Sequence, residues 1–387
     1  MALSPHLSAS VFTQKNSTET TNATGSFSNG ESDFTTDGYR ITLTQTLYNQ
    51  QLLDAMDASE ASSAQALAQY EAAKQTLIIR LAQAYFAVLA AQDNVAFAEA
   101  EKKANERLLK QNKERFKVGL IAITDVKEAQ AKYDSAVAQA IVASNELSNQ
   151  HEALWFIIKQ RPETLSSLKD SIPLDFPELE DIKSWQDKAL ANNLNLRAAR
   201  YAVQAAEENY DLQRAGHYPT LNLSAQHSAT SADGSTLGFG GRDVDDTTIG
   251  LSLDIPIYSG GYTSSKIRQG AAELDAAKML LEKQQRQTIQ DMRTAYLGVQ
   301  AAIVQVEAFK QVLISTESAT EATQLGFEVG TRTSVDVLLA QGNLFKSQRD
   351  YAKARYDFIL KLLEIKYAAG LLTSADVEHI SQWLSPS

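Results

Sequence analysis

Two spans of the chain, from His6 to Arg161 and from Ile257 to Ser385, contain no proline, and their length restricts the fold more than any other feature. The prolines fall at Pro5, Pro162, Pro173, Pro177, Pro219, Pro256 and Pro386. Proline removes a helical hydrogen bond and clashes with the preceding turn, so a long span without it, rich in Ala, Gln, Glu, Lys and Leu, permits helix at low cost. That composition runs from Leu52 to Phe116 and from Tyr262 to Phe327. At about 1.5 Å per residue each is expected to be a rod on the order of 90 to 100 Å long, which no compact domain needs.

In the second span Ile289, Met292, Tyr296, Val299, Ile303 and Val306 follow one another at spacings of 3, 4, 3, 4 and 3, the seam of a coiled coil. Subtracting 211 from these positions gives Ile78, Leu81, Tyr85, Val88, Gln92 and Val95. The same offset lays Phe116-Lys117-Val118-Gly119 over Phe327-Glu328-Val329-Gly330, Asp125-Val126 over Asp336-Val337, and Gln130 over Gln341. The chain is therefore an internal duplication. Each Val-Gly pair is expected to end a long helix with a left-handed cap, and a second helix, about Thr124 to Lys159 or Thr333 to Ala369, to run back.

Before each long helix the period changes to two. Ile249, Leu251, Leu253, Ile255 and Ile257 alternate with Gly250, Ser252, Asp254, Pro256 and Tyr258, and the counterpart is Tyr39, Ile41, Leu43, Gln45 and Leu47 between Arg40 and threonines. Leu7–Val11 and Leu221–Ala225 read as partner strands, joined by polar loops at Lys15–Asp37 and Ser228–Asp246. Such loops suit the outer side of a membrane barrel, but the smallest membrane barrels have about eight strands, and open edges cannot sit in lipid. Closure would take several chains, three giving twelve strands. Periodicity alone leaves open the alternative of two hairpins packed on a soluble coiled-coil scaffold.

Composition excludes several classes. The chain has no cysteine, so disulfide frameworks and thiolate metal sites are out. Its formal charge of -11 opposes a nucleic-acid partner, since such binding rests on clustered Lys and Arg. The histidines, His6, His151, His217, His227 and His379, do not stand at ligand spacing with carboxylates, and Gly240-Gly241 lies in a strand-connecting loop. No enzyme activity, metal or cofactor is expected. No run of about 18 apolar residues suggests a transmembrane helix. The first residues have neither the basic start nor the apolar run of a secretory signal.

The segments FKVGLIAITDV (Phe116–Val126), FEVGTRTSVDVL (Phe327–Leu338), HYPTLNLSA (His217–Ala225) and IGLSLDIPIYSGG (Ile249–Gly261) closely resemble the TolC family of outer-membrane efflux channels, and the likeness runs over essentially the whole chain. The resemblance implies a mainly helical protein, with a long periplasmic α-barrel and a four-strand contribution to a trimeric, twelve-stranded outer-membrane β-barrel. It implies a first repeat over 1–160, an equatorial segment over 161–190, a second repeat over 179–370 and a C-terminal equatorial segment over 371–387. A helix from about Leu179 to Ala215 precedes the second repeat's strands but has no counterpart in the first. Some 36 residues are thus unmatched, and the chain reads as a fragment or a misplaced start, with a signal sequence further upstream.

The implied function is an exit duct for drug efflux or type I protein secretion. Its partners would be two further copies of the chain, outer-membrane lipid, a periplasmic adaptor protein and an inner-membrane pump that supplies the energy. The implied site is the pair of helix-turn-helix tips, which in the family form the periplasmic gate and dock the adaptor: Gly119, Thr124 and Asp125 in the first, Phe327, Gly330, Arg332 and Asp336 in the second. In the family a tyrosine and an arginine of the second tip tether to the first. Phe327 replaces that tyrosine, so closure is expected to rest on an Arg332–Asp125 pair. The bland reading, which can coexist, is that Thr333-Ser334-Val335-Asp336 and Asp125 are helix caps. Tyr85 and Tyr296 read as packing residues. Arg40, Asp254 and the strand threonines read as the lining of a water-filled lumen without a binding role.

Overall fold

A computed structural model describes residues 3–20, 30–161, 164–169, 172–174, 181–234 and 240–385. In chain order the elements are β1 (His6–Thr20), β2 (Gly30–Tyr48), α1 (Gln50–Lys117), α2 (Ile123–Ile158), α3 (Ile182–Asn192), α4 (Leu194–Arg214), β3 (Thr220–Ala232), β4 (Arg242–Asp254), α5 (Tyr262–Glu328), α6 (Ser334–Ala368) and α7 (Ser374–Ser381). They fall into two units, Met1–Ala66 with Ala199–Leu281, and Leu67–Ala198 with Glu282–Ser387.

The first unit holds one antiparallel sheet in the order β1-β2-β3-β4. Its strands outrun the expected ones: β1 pairs with β2 as far as Thr20 opposite Gly30, and β3 with β4 as far as Ala232 opposite Arg242, inside the segments read as loops. Both faces are polar there, so alternation carries no signal, while the backbone ladder and the Ser and Thr content still favour strand. At the other end β4 stops at Asp254, short of the expected Ile257, because Pro256 has no N–H to donate.

Register sorts the faces. Leu7, Leu43, Ala225 and Ile249 form one line across the sheet, and Leu223–Leu251 and Leu221–Leu253 continue the same face toward the helices. Ile249, Leu251 and Leu253 are 74, 65 and 59% exposed, so the apolar face is bare in one copy of the chain.

In the second unit the α5 seam is the core. Met292 and Val299 are wholly buried, Val306 is 1% and Tyr296 9% exposed, and Ile303 packs alongside. Against them lie Phe358, Ile359, Leu363 and Ile365 of α6 and Trp185 of α3. In α1 the buried line is Ile79, Ala82, Phe86 and Leu89, with Ile78 and Tyr85 at its margin. Val88 of the copied seam is wholly buried like its counterpart Val299, while Ile79, Phe86 and Leu89, each one residue on from a seam position, widen the buried face because each copy meets different neighbours. The helix expected from Leu179 to Ala215 is broken at Asn193, whose backbone is extended and whose carboxamide accepts from the Leu196 N–H at 3.0 Å. Its expected start lies outside the described residues. Segment 164–169 meets the C-terminal segment through a Leu168–Leu384 bridge, with the Ser385 N–H donating to Ser167 at 2.8 Å.

One helix, α5, does contain an 18-residue window of mean hydropathy 1.3, against the expectation of none. Its apolar side chains fall on opposite sides, Val299, Ala302 and Val306 buried and Leu297 and Val304 exposed. Two separate apolar stripes, not a uniformly apolar surface, account for that value.

A polar pair sits in this core. Tyr356 donates its hydroxyl to Asp93 at 2.7 Å. Burial pushes the Asp93 carboxyl above its ordinary range, outweighing the Tyr356 bond and the Arg355 charge. A folded-state value above the unfolded one means stability present at low pH and lost as pH rises through the raised value. The melting temperature of the protein, followed by circular dichroism, should therefore fall as pH rises above about 3.9, the ordinary aspartate value. Asp93→Asn keeps an acceptor for Tyr356 and should flatten that fall, while Tyr356→Phe should cost about 1 to 3 kcal/mol by stranding the carboxylate. Parallel pH profiles for the wild type and Asp93→Asn would show that the pair has no such role.

Candidate functional site: the two helical tips

Each long helix ends on a glycine that must be one. Gly119 has φ 76° and Gly330 φ 84°, the left-handed region that side chains with a Cβ resist, and no other atom lies near enough to crowd a Cβ there. The Gly119 N–H donates to Phe116 at 2.9 Å and the Leu120 N–H to Arg115 at 2.9 Å, closing the end of α1. In the second tip the Thr331 and Arg332 N–H groups both donate to Gly326, at 2.8 and 3.1 Å. A Cβ on Gly326 would stand 2.8 Å from Arg332 Cγ, so this glycine lets the Arg332 stem fold back on α5.

The returning helices start on capped turns. Asp336 accepts from the Thr333 N–H at 2.9 Å and from the Thr333 hydroxyl at 2.9 Å, while the Asp336 N–H donates to that hydroxyl at 3.2 Å. Asp125 accepts from the Ala122 N–H at 3.2 Å, with no hydroxyl to reciprocate because Ala122 stands where Thr333 does in the second repeat. The first tip therefore has half of the box that the second completes. Thr124 is exposed.

Between the tips lies a small apolar cluster of Leu108, Leu109, Val126, Ala129, Phe327, Val337 and Leu338. The duplicated phenylalanines part company here: Phe327 is 3% exposed, whereas Phe116 is 42% exposed. The Arg115 guanidinium lies 4.4 Å from the centroid of the Phe327 ring, an attraction that needs no phenolic hydroxyl. Among the described residues no ion pair joins Arg332 to Asp125 within one protomer. Arg332 instead lowers the Asp336 carboxyl, after the larger effects of the two Thr333 hydrogen bonds.

Two buried polar side chains at this cluster were not singled out from sequence. Asn112 is wholly buried, donates to the Asp125 carbonyl at 3.4 Å and leaves Oδ1 unpartnered, and Ser334 Oγ is likewise buried without a partner. The available signal was Asn105, seven residues before Asn112 and also buried, which places both on one face of α1. Around the cluster Val118, Leu120 and Val329 are 69, 71 and 76% exposed, an apolar surface at the extreme of both tips.

Residues 1–158 and 185–371 match the outer membrane efflux protein family. The chain is 39% identical over 355 residues to the outer membrane protein TolC of Vibrio cholerae, covering 92% of this chain and 81% of that protein. It is 28% identical over 316 residues to the proteases secretion protein PrtF of Dickeya chrysanthemi, covering 80% and 67% respectively. The solved CmeC outer membrane channel of Campylobacter jejuni superposes with a TM-score of 0.80 at 18% identity, covering 99% of this chain and 82% of that one.

The cap geometry has a measurable consequence. Hydrogen bonds to the ionised form hold Asp336 below the ordinary carboxylate range, so its contribution is present above the unfolded value and lost as pH falls through the depressed one. Hydrogen-exchange protection in the first turn of α6 should drop below about pH 3.8. Asp336→Asn should abolish that pH dependence, and Thr333→Ala should weaken the same turn by about 1 kcal/mol. Protection unchanged in both variants would remove the cap.

Proposed function

The chain belongs to the outer membrane efflux protein family, and from that premise we propose that it is a passive exit duct, spanning the outer membrane and reaching into the periplasm, for efflux and type I secretion. The observation that carries this reading is the sheet. Its apolar face is bare, and β1 and β4 each leave one edge unpaired. In water such a face is an aggregation hazard, and in lipid the open edges would each strand a row of backbone groups. Both difficulties vanish if the edges pair with further copies, and three copies give twelve strands.

Dimensions support a membrane band. From the Leu221–Leu253 pair to the line containing Val11 and Tyr39, five lines of outward residues stack at two-residue steps. At roughly 6.8 Å per step and a tilt near 40°, they cover about 21 Å between the outermost lines, and side-chain width brings this near the ~25 Å apolar belt of such barrels. Tyr39, whose hydroxyl lies 3.2 Å from His227 Nε2, marks one rim. Tyr48, opposite Leu221, is exposed at the other rim, and Tyr218 and Tyr258 are exposed just outside the strands. Aromatic rims of this kind sit at membrane–water interfaces.

The tips are the proposed periplasmic entrance. Gly119 and Gly330 turn the helices, and Val118, Leu120 and Val329 offer the apolar surface that an adaptor would cover. Thr124, Asp125 and Arg332 stand where neighbouring copies meet, with Arg332 reaching across that boundary to Asp125, since among the described residues the two form no ion pair within one chain. Energy comes from an inner-membrane pump. Asp336, repeated three times about the axis, forms an anionic ring that favours cations, and Leu339 stands where a second acid one turn on would double its charge.

Planar-bilayer recording of the purified trimer tests these roles. Arg332→Ser should raise single-channel conductance, and Asp336→Ala should remove most of the block by multivalent cations while Glu328→Gln leaves it intact. A detergent-independent, monodisperse protein without conductance would instead support the scaffold reading. Unchanged conductance in Arg332→Ser would leave Asp125 as a helix cap alone.

A further inference from the structure

The polar face of the sheet carries one line that is not polar. Register sets Phe12 opposite Gly38, Gly38 opposite Thr230 and Thr230 opposite Val244, so an apolar ring, a bare backbone, a methyl-bearing side chain and a branched aliphatic form one row across all four strands. The Phe12 ring lies down over the glycine: a Cβ on Gly38 would stand 3.0 Å from Phe12 Cζ, 2.9 Å from Thr230 Cγ2 and 2.6 Å from the Ala229 carbonyl oxygen. Phe12 and Val244 are half-buried in this way, whereas Val11, on the opposite face, is 87% exposed. Charges flank the row. Arg40 and Asp246 occupy the next line toward the helices, and Arg242 the next line toward the loops. Two cations against one anion leave the margin of the row positive.

We propose that this row is a luminal contact site for amphiphilic anions in transit, the apolar body resting on Phe12, Thr230 and Val244 and the anionic head meeting Arg40 or Arg242. The assignment rests on the exit-duct reading, since only closure of the sheet turns its polar face into a lumen and repeats the row around it. Gly38 gives the site its shape. With no side chain there, the aromatic ring lies against the wall, and a flat apolar surface takes the place of an obstruction. The site slows a passing amphiphile and lets a purely polar solute by, because apolar contact area, and not pore width, is what differs at this level.

The test is single-channel recording of the full protein with 1-anilinonaphthalene-8-sulfonate, an amphiphilic anion, added on the side of the strand-connecting loops. Wild type should show discrete blockades. Phe12→Ser combined with Val244→Ser should shorten their dwell time five- to tenfold, since losing roughly 50 Å² of apolar contact corresponds to about an eightfold change. Phe12→Leu, which keeps an apolar side chain, should stay within about twofold. Arg40→Gln should shorten blockades by the sulfonate and leave those by tetraphenylphosphonium, an apolar cation, unchanged. Equal dwell times in the wild type and the double variant overturn the proposal. Should the Phe12→Ser, Val244→Ser variant fail to assemble, an unchanged sulfonate dwell time in Arg40→Gln combined with Arg242→Gln overturns it equally. A wild-type protein that forms no conducting trimer overturns the duct reading, and the luminal site with it, which is a different result from a conducting trimer with unaltered blockades.

Discussion

Everything in this protein follows from a backbone constraint: hydrocarbon offers no hydrogen bonds, so no strand edge can end in it. Among the described residues one chain supplies four strands and two unpaired edges. The sheet is therefore an arc of a structure that only further copies complete, and long helices growing out of its strands must share whatever symmetry closes it. The proline-free spans are the other half of that requirement. α1, of 68 residues, and α5, of 67, each run as a single helix.

Duplication makes the two halves comparable, and the differences between them are informative. Thr316 and Ser347 share a hydrogen bond at 2.7 Å in the second repeat, whereas their counterparts at an offset of 211 are Asn105 and Ala136. Phe327 is a core residue under Arg115, while Phe116 is largely exposed. Thr333 completes a cap that Ala122 leaves half-made. One ancestral hairpin has been fitted to two environments.

Much of this was legible in sequence, for definite reasons. The seam at Met292, Val299 and Val306 announces itself because an interface between helices imposes a period that chance does not. The glycines of the tips are equally plain, since only glycine takes φ near 80° without cost. Strand length was hidden, because beyond the apolar band a two-sided polar ladder has no alternation to betray it. In α1 Val88 is buried as its place in the seam requires, but the burial of Ile79 and Phe86 beyond Ile78 and Tyr85 was hidden, for a repeat aligned by sequence says nothing of which neighbour each copy meets. Asn112 and Ser334 were missed because a polar residue among helical polar residues looks solvated until its burial is known.

The capping and gating readings of the tip acids are not rivals. Carboxylates gathered near a symmetry axis raise one another's pKa, and a ring of them would tend to bind protons and lose the charge that makes it useful. Thr333 opposes this. Its N–H and its hydroxyl both donate to Asp336, and these bonds are the largest influences lowering that carboxyl. The cap thus keeps the acid ionised in the crowded geometry a ring imposes, while the charge it preserves sits at the positive end of α6, where it also steadies the helix. Asp125 accepts a single capping N–H, from Ala122, and no hydroxyl. In the proposed entrance Asp336, with both Thr333 bonds behind it, is therefore the acid suited to the ring, and Asp125, whose cap is half-made, the one suited to receive an arginine from a neighbouring copy.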